Sequence, residues 1–184
     1  YLDYNEKIGD RKGLYQVVAR AFGVKRALYP GSHIDIGPSL VIPEVIYVDS
    51  YKGAVAFFER RQEIVAFINA HKTYDEDCRL WFFGQDYERA VDIEQVDLII
   101  SQYAGFVGQA TKKHLRKGGI LLCNDSHGDA TLAYLDEDYD FIGIVDEHLR
   151  ITISGLDDYF TFARPKGIDV EKVRRSMKGP KYKN

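Results

Sequence analysis

Cysteine is scarce in this chain: Cys78 and Cys123 are the only two, each inside an apolar run and in no paired or metal-like spacing. That argues against a disulfide framework and predicts buried, reduced thiols and a cytoplasmic location. No apolar run approaches the length needed to span a bilayer and no secretory signal is visible, so no membrane partner is expected. A large excess of one charge is missing too. The net charge of −3 argues against a dedicated nucleic-acid binder. Seven Lys and Arg against two Asp and Glu from Pro165 to Asn184 nevertheless form a basic tail. It could touch RNA or an acidic partner, or serve only as a solvated tail. Repeats, low-complexity tracts and composition breaks are absent. One domain, residues 1–164, is expected, followed by the basic tail 165–184.

What is present reads as alternating strand and helix. Leu14, Val17, Val18, Ala21 and Phe22 have helical spacing, closed by Gly23. Strands are predicted at Arg26–Tyr29, Val45–Val48, Arg79–Phe83, Asp97–Ser101 and Ile120–Cys123, a short helix at Pro38, and long helices over Tyr51–His71 and Phe106–Lys117. Strand, helix, glycine turn and strand within Val96–Asp125 make one βαβ crossover, so part of the sheet is parallel. Further on, Asp129–Leu135 reads as helix. Phe141–Val145, Leu149–Ile153 and Tyr159–Ala163 read as strands. Val170–Met177 reads as a terminal helix, with Gly179–Asn184 frayed. The expected fold class is α/β: a doubly wound, mostly parallel seven-stranded sheet with an antiparallel edge strand and helices on both faces.

Open parallel sheets bind ligands beyond the carboxyl ends of their strands. Gly31 follows the first strand, and free amides there suit anionic groups. A dinucleotide site has poor support because GxGxxG is lacking. Asp49 follows the second strand, where a carboxylate can accept from a ribose diol; it could equally cap the helix near Tyr51. Asp86 follows the third strand and could accept from an exocyclic amine or serve as a turn residue. In Cys123-Asn124-Asp125-Ser126-His127, Asp125 and His127 could be a base with its orienting group, or metal ligands with Asn124. Capping of a helix at Asp129 by Asp125 or Ser126 is favoured instead, and no metal site is expected. Tyr29, Tyr51, Tyr87 and Tyr103 fall at strand ends, where rings stack on ligands or pack a rim.

In order and spacing, Leu28-Tyr29-Pro30-Gly31-Ser32, Val48-Asp49, Gly84-Gln85-Asp86, Val96–Ser101 and Leu115–Leu122 resemble the class I S-adenosylmethionine-dependent methyltransferases. The Leu-basic-Gly-Gly-apolar turn at Leu115–Leu122 is the most specific match, and the resemblance covers roughly Lys25–Ala163. It implies a seven-stranded sheet with S-adenosylmethionine across the first strand ends. Gly31 and Ser32 would approach the methionine part, Asp49 the ribose, and Gln85 with Asp86 the adenine. Ser101 and Gln102 would face the sulfonium and a small-molecule substrate.

The chain departs from the family where an acid and three close glycines are usual. It has Tyr29 and Pro30 on the strand, and His33 and Asp35 at the later glycine positions, where Asp35 would crowd the cofactor carboxylate. An Asn/Asp-Pro-Pro-aromatic motif is replaced by Ser101-Gln102-Tyr103-Ala104, so amino-group chemistry has no support. The resemblance therefore implies a methyltransferase, a transferase acting on a small substrate. The alternative is a module of the same fold that has lost catalysis and serves as a binding or interaction domain.

Overall fold

The computed structural model describes residues 1–162 and 167–183. Five strands form one parallel sheet: β1 (Arg26–Pro30), β2 (Glu44–Val48), β3 (Arg79–Phe83), β4 (Val96–Ser101) and β5 (Leu115–Cys123). Their order is β3-β2-β1-β4-β5, so β1 is central and the chain reverses its direction of travel across the sheet between β1 and β4. The seven-stranded expectation is corrected. β6 (Ile144–Val145) and β7 (Ile151–Thr152) pair only with each other, antiparallel, as a separate hairpin. Tyr159–Phe162 form no strand, following a 3-10 turn at Leu156–Asp158. Ala163, and the expected domain boundary between residues 164 and 165, lie outside the described residues.

Side-chain alternation builds a core on each face of the sheet. Ala27, Tyr29, Val45, Tyr47, Leu98 and Ile100 face one layer, and Leu28, Ile46, Val48 and Ile99 the other. Helix α2 (Lys12–Phe22) covers the first face with Tyr15, Val18 and Ala19. Beside it lie α3 (Lys52–Glu59), through Phe58, and α4 (Arg61–His71), through Ile64 and Ile68. Val107 of α5 (Val107–Thr111) and Val91 cover the second face. Each Val, Leu, Ile or Phe among them, fully buried, contributes about 1.5–3 kcal/mol.

Three differences from the sequence reading bear on the site. Tyr51–His71 is two helices, broken at Arg60, whose ψ of 38° lies outside the helical range. The segment expected as helix to Lys117 ends as a 3-10 turn at Lys112–His114, and β5 begins at Leu115. Val96 pairs with Leu115 but Leu98 with Ile120, so residues around Gly118 (φ +72°) and Gly119 loop out as a bulge within β5. The double glycine marks an interruption of the strand rather than its start. Finally, α1 (Leu2–Ile8) was not expected: it buries no residue fully, but Tyr1 packs edge-on against Phe67.

Beyond β5, α6 (Asp129–Tyr134) and α7 (Val170–Ser176) form as read. Tyr182 is anchored rather than frayed: its hydroxyl lies 2.8 Å from Thr131 Oγ1, and its ring meets Phe160 edge-on; Asn184 lies outside the described residues. Among the described residues, no helix is long and apolar enough to cross a membrane.

Candidate functional site

In a doubly wound sheet the crevice for a ligand opens where the strand order reverses, here between the carboxyl ends of β1 and β4. Gly31 and Ser32 leave β1, Asp49 leaves β2, Gln85 and Asp86 leave β3, and Ser101 and Gln102 end β4. The parallel register therefore brings all seven sequence-nominated residues to one end of the sheet.

Their present bonds differ in kind. Gly31, at φ +63°, donates its amide to Val48 O at 2.8 Å, fastening the turn to β2. Asp49 is held by two backbone amides: Oδ2 accepts from His33 N and Oδ1 from Tyr51 N, both at 2.7 Å. It thus closes an Asx-type turn just before α3 and ties the β1 loop to the β2 end. Each oxygen keeps a lone pair for another donor. Gln85 donates to Ala90 O at 3.2 Å, and Asp86 accepts from Glu88 N at 2.9 Å as a turn residue does. Ser101 is buried and donates to Asp129 Oδ2 at 2.6 Å; Gln102 Oε1 accepts from Asn124 Nδ2 at 3.0 Å.

His33 was singled out only as a departure from glycine, yet it organises this edge. It sits at φ +51°, an uncommon conformation for a residue with a side chain. Its ring is sandwiched between Tyr4 and Tyr51, with centroids 5.1 Å away on both sides and near-parallel planes. Its Nδ1 is buried without a hydrogen-bond partner, a state that costs roughly 1–3 kcal/mol. Nothing in the periodicity of Leu2–Ile8 signalled that Tyr4 would reach it.

Asp35 does not crowd the crevice. It turns into the core, 2% exposed, where it accepts from Tyr15 Oη at 2.7 Å, Tyr29 Oη at 3.2 Å and Gly37 N at 2.9 Å. Burial pushes its carboxyl above the ordinary range even so, with the Arg11 guanidinium 3.8 Å away. Tyr29 and Pro30, unusual on such a strand, are thereby explained in part: the Tyr29 phenol is a partner of Asp35.

At the β4–β5 end, Asp129 is a second buried carboxylate that the sequence reading treated only as a helix start. It accepts from Ser101 Oγ and from Gly108 N at 2.9 Å. Asp125 accepts from Thr131 N at 2.8 Å and Thr131 Oγ1 at 2.9 Å, so it does secure the first turn of α6. Burial raises both carboxyls and also the Cys123 thiol. His127 points to Ser126 Oγ at 3.0 Å rather than to Asp125. Among the described residues, no group of three or more His, Cys, Asp or Glu is placed to hold a metal ion.

The loop after β4 lies directly over the loop after β1. A methyl group added at Gly31 would overlap Ala104 Cβ, and Tyr87 Oη donates to Ala104 O at 2.7 Å. Tyr103, at φ +59° and exposed, has the Arg11 guanidinium 4.9 Å above its ring.

Comparison with solved structures gives this geometry a frame. A proposed caffeoyl-CoA O-methyltransferase from Staphylococcus aureus superposes with a TM-score of 0.51 at 15% identity, over 67% of this chain and 63% of that one. The fold is that of the class I methyltransferases. Two looser likenesses are a methyltransferase from Geobacter sulfurreducens (TM-score 0.48, 14% identity, 66% and 64% covered) and the N-methyltransferase NodS from Bradyrhizobium japonicum WM9 (0.46, 14%, 64% and 66%). The chain thus spans somewhat under two thirds of the length of these structures. No family model and no curated protein matches it. Within the methyltransferase fold, the structure departs from the sevenfold sheet at the β5 edge, where the β6–β7 hairpin stands apart.

Proposed function

We propose that this chain is an S-adenosylmethionine-dependent methyltransferase acting on a small molecule, with its cofactor across the carboxyl ends of β1, β2 and β3. The observation that carries the reading is Asp49, which two amides at 2.7 Å orient at the β2 end while leaving it capacity to accept. A ribose diol fits that carboxylate, and His33, whose amide binds Asp49, has a buried Nδ1 without a partner. Gln85 and Asp86 stand on the adenine side. Ser32 and Gly31 would approach the methionine part, with Ser101 and Gln102 toward the acceptor. The bound cofactor supplies an electrophilic methyl group, and these residues bind and orient rather than take part covalently. The two free cysteines suit a cytoplasmic location.

The fit is uneven along the crevice. The ribose end is prepared, whereas the methionine end requires Ala104 to lift from Gly31. That same contact favours a second reading, a methyltransferase-fold module without catalysis. Calorimetric titration with S-adenosylhomocysteine, with NAD as control, separates the two. Saturable binding of the first compound alone supports the enzyme, and the absence of heat from folded protein supports the module. In the first case Asp49→Ala should weaken binding by ~1.5–3 kcal/mol, the scale for losing a charged hydrogen-bond partner. Equal affinity in the variant would remove Asp49 from the site.

A further inference from the structure

Away from the strand-end crevice, a cleft of about 770 Å³ runs along the free edge of β5, between it and the β6–β7 hairpin. Ile120 and Leu122 of β5 line one side. Opposite stand Tyr134, Phe141, Tyr159 and Phe160. Those rings hold one another: Tyr134 stacks on Phe160 at 4.2 Å, and Phe141 meets Phe160 edge-on at 5.1 Å. A wall fixed by its own ring contacts loses little freedom when a ligand arrives. The volume and the mostly apolar lining with a few polar groups are those of a small-molecule site.

The polar groups are unequally distributed. At the end where β5 finishes, the cleft is lined by Gln102, Asn124 and Asp125. Asp125 spends its two bonds on Thr131. Among the described residues it has no lysine or arginine within ion-pair distance. Asp129, buried close by, keeps its oxygens for Ser101 Oγ and Gly108 N. Lys112, Arg116 and Lys117 line the cleft as well, but Lys112 is paired with Asp136 and Asp138, Arg116 with Asp97, and Lys117 is exposed at the β5 bulge, toward the start of the strand and away from Asp125. An anion would thus meet the Asp125 carboxylate at this end, while an ammonium would gain an acceptor with a lone pair to spare.

We propose that the β5 cleft binds a ring-bearing amine, its rings against the Tyr134–Phe141–Phe160 wall and its ammonium on Asp125. The site shares no residue but Gln102 with the cofactor reading and does not depend on it.

The test uses the intact chain without cofactor, near neutral pH, titrated with 2-(2-naphthyl)ethylamine and with the matched 2-naphthylacetate. The amine should bind saturably and the acetate at least about tenfold more weakly, the scale of one charge-assisted hydrogen bond. Asp125→Asn should erase the preference. Ala130→Trp, which places a large ring in the cleft lining, should abolish binding of the amine with the far-ultraviolet spectrum unchanged. No binding of either probe, equal affinity for both, or amine binding indifferent to Asp125→Asn would overturn the proposal. Should Ala130→Trp not fold, amide shifts in the unaltered chain decide. They are expected along Ile120–Asp125 and Tyr134–Phe141, and shifts confined to Gly31–Asp49 would refute the site.

Discussion

At the scale of single residues, Gly31 is constrained twice. Its φ of +63° suits glycine, and Ala104 occupies the space its side chain would need. Gly31→Ala should cost about 1 kcal/mol for the backbone and a further ~1–3 kcal/mol for the overlap. Ala104→Gly in the same chain should recover the second part only, a coupling of about 1–3 kcal/mol readable in urea denaturation. Additive effects of the two substitutions would mean that the loops part before they clash. Of this, the turn itself was legible in Tyr29-Pro30-Gly31-Ser32, because a glycine after a strand is a local signal. The contact with Ala104 was not, since it joins loops far apart in the chain. Asp35 shows the same limit from the other side. Its position next to a candidate cofactor loop suggested crowding, but three hydrogen-bond donors out of sight of that spacing draw it inward.

At the scale of elements, Asp97 joins three strands. Its Oδ2 accepts from the amides of Lys25 and Arg26, at 2.9 and 3.0 Å, at the start of β1, and its Oδ1 from Arg116 Nε of β5 at 2.6 Å. Burial alone would raise this carboxyl, but the bonds from the Lys25 amide, Arg116 and the Arg26 amide outweigh it and hold it below the ordinary value. The sign follows from linkage. A depressed carboxyl stabilises the fold fully above its unfolded value, and that contribution fades as pH falls through the folded one. Asp97→Ala should therefore cost ~2 kcal/mol at neutral pH, and the gap from the parent should close as pH drops below about 3.9. Denaturation midpoints across that range are the check, and a gap that persists in acid would assign the loss to packing. The strands themselves were readable from apolar runs, Arg79–Phe83 to the residue. Helix lengths were not. The Arg60 break and the β5 bulge answer to partners across the fold, namely the Arg61 bond to Leu80 O at 2.9 Å and the pairing of Leu115 with Val96.

At the scale of the whole molecule, the sheet is complete without its basic C-terminal segment, yet that segment is docked. Val173 of α7 is 3% exposed, Gly179 lies close enough to Asp125 that no side chain would fit, and Tyr182 reaches Thr131. Removing the residues after Met177 should release amide-exchange protection in α6 and Asn124–Gly128 while β1, β2 and β4 keep theirs. Loss of protection throughout would make the segment part of the cooperative core.

The central place of β1 has a consequence in time. During synthesis β1 acquires β2 promptly, but its other edge belongs to β4, made only after the stretch through Gln95. At ~5–20 residues per second that interval lasts roughly 4–14 s. Throughout it the nascent chain carries Arg26–Pro30, apolar and destined for burial from Ala27 onward, with half its backbone hydrogen bonds unclaimed. The hazard of this fold therefore falls before β4 is made. A ribosome stalled between Val48 and Val96 would hold out an open template for mispairing that the finished protein never shows.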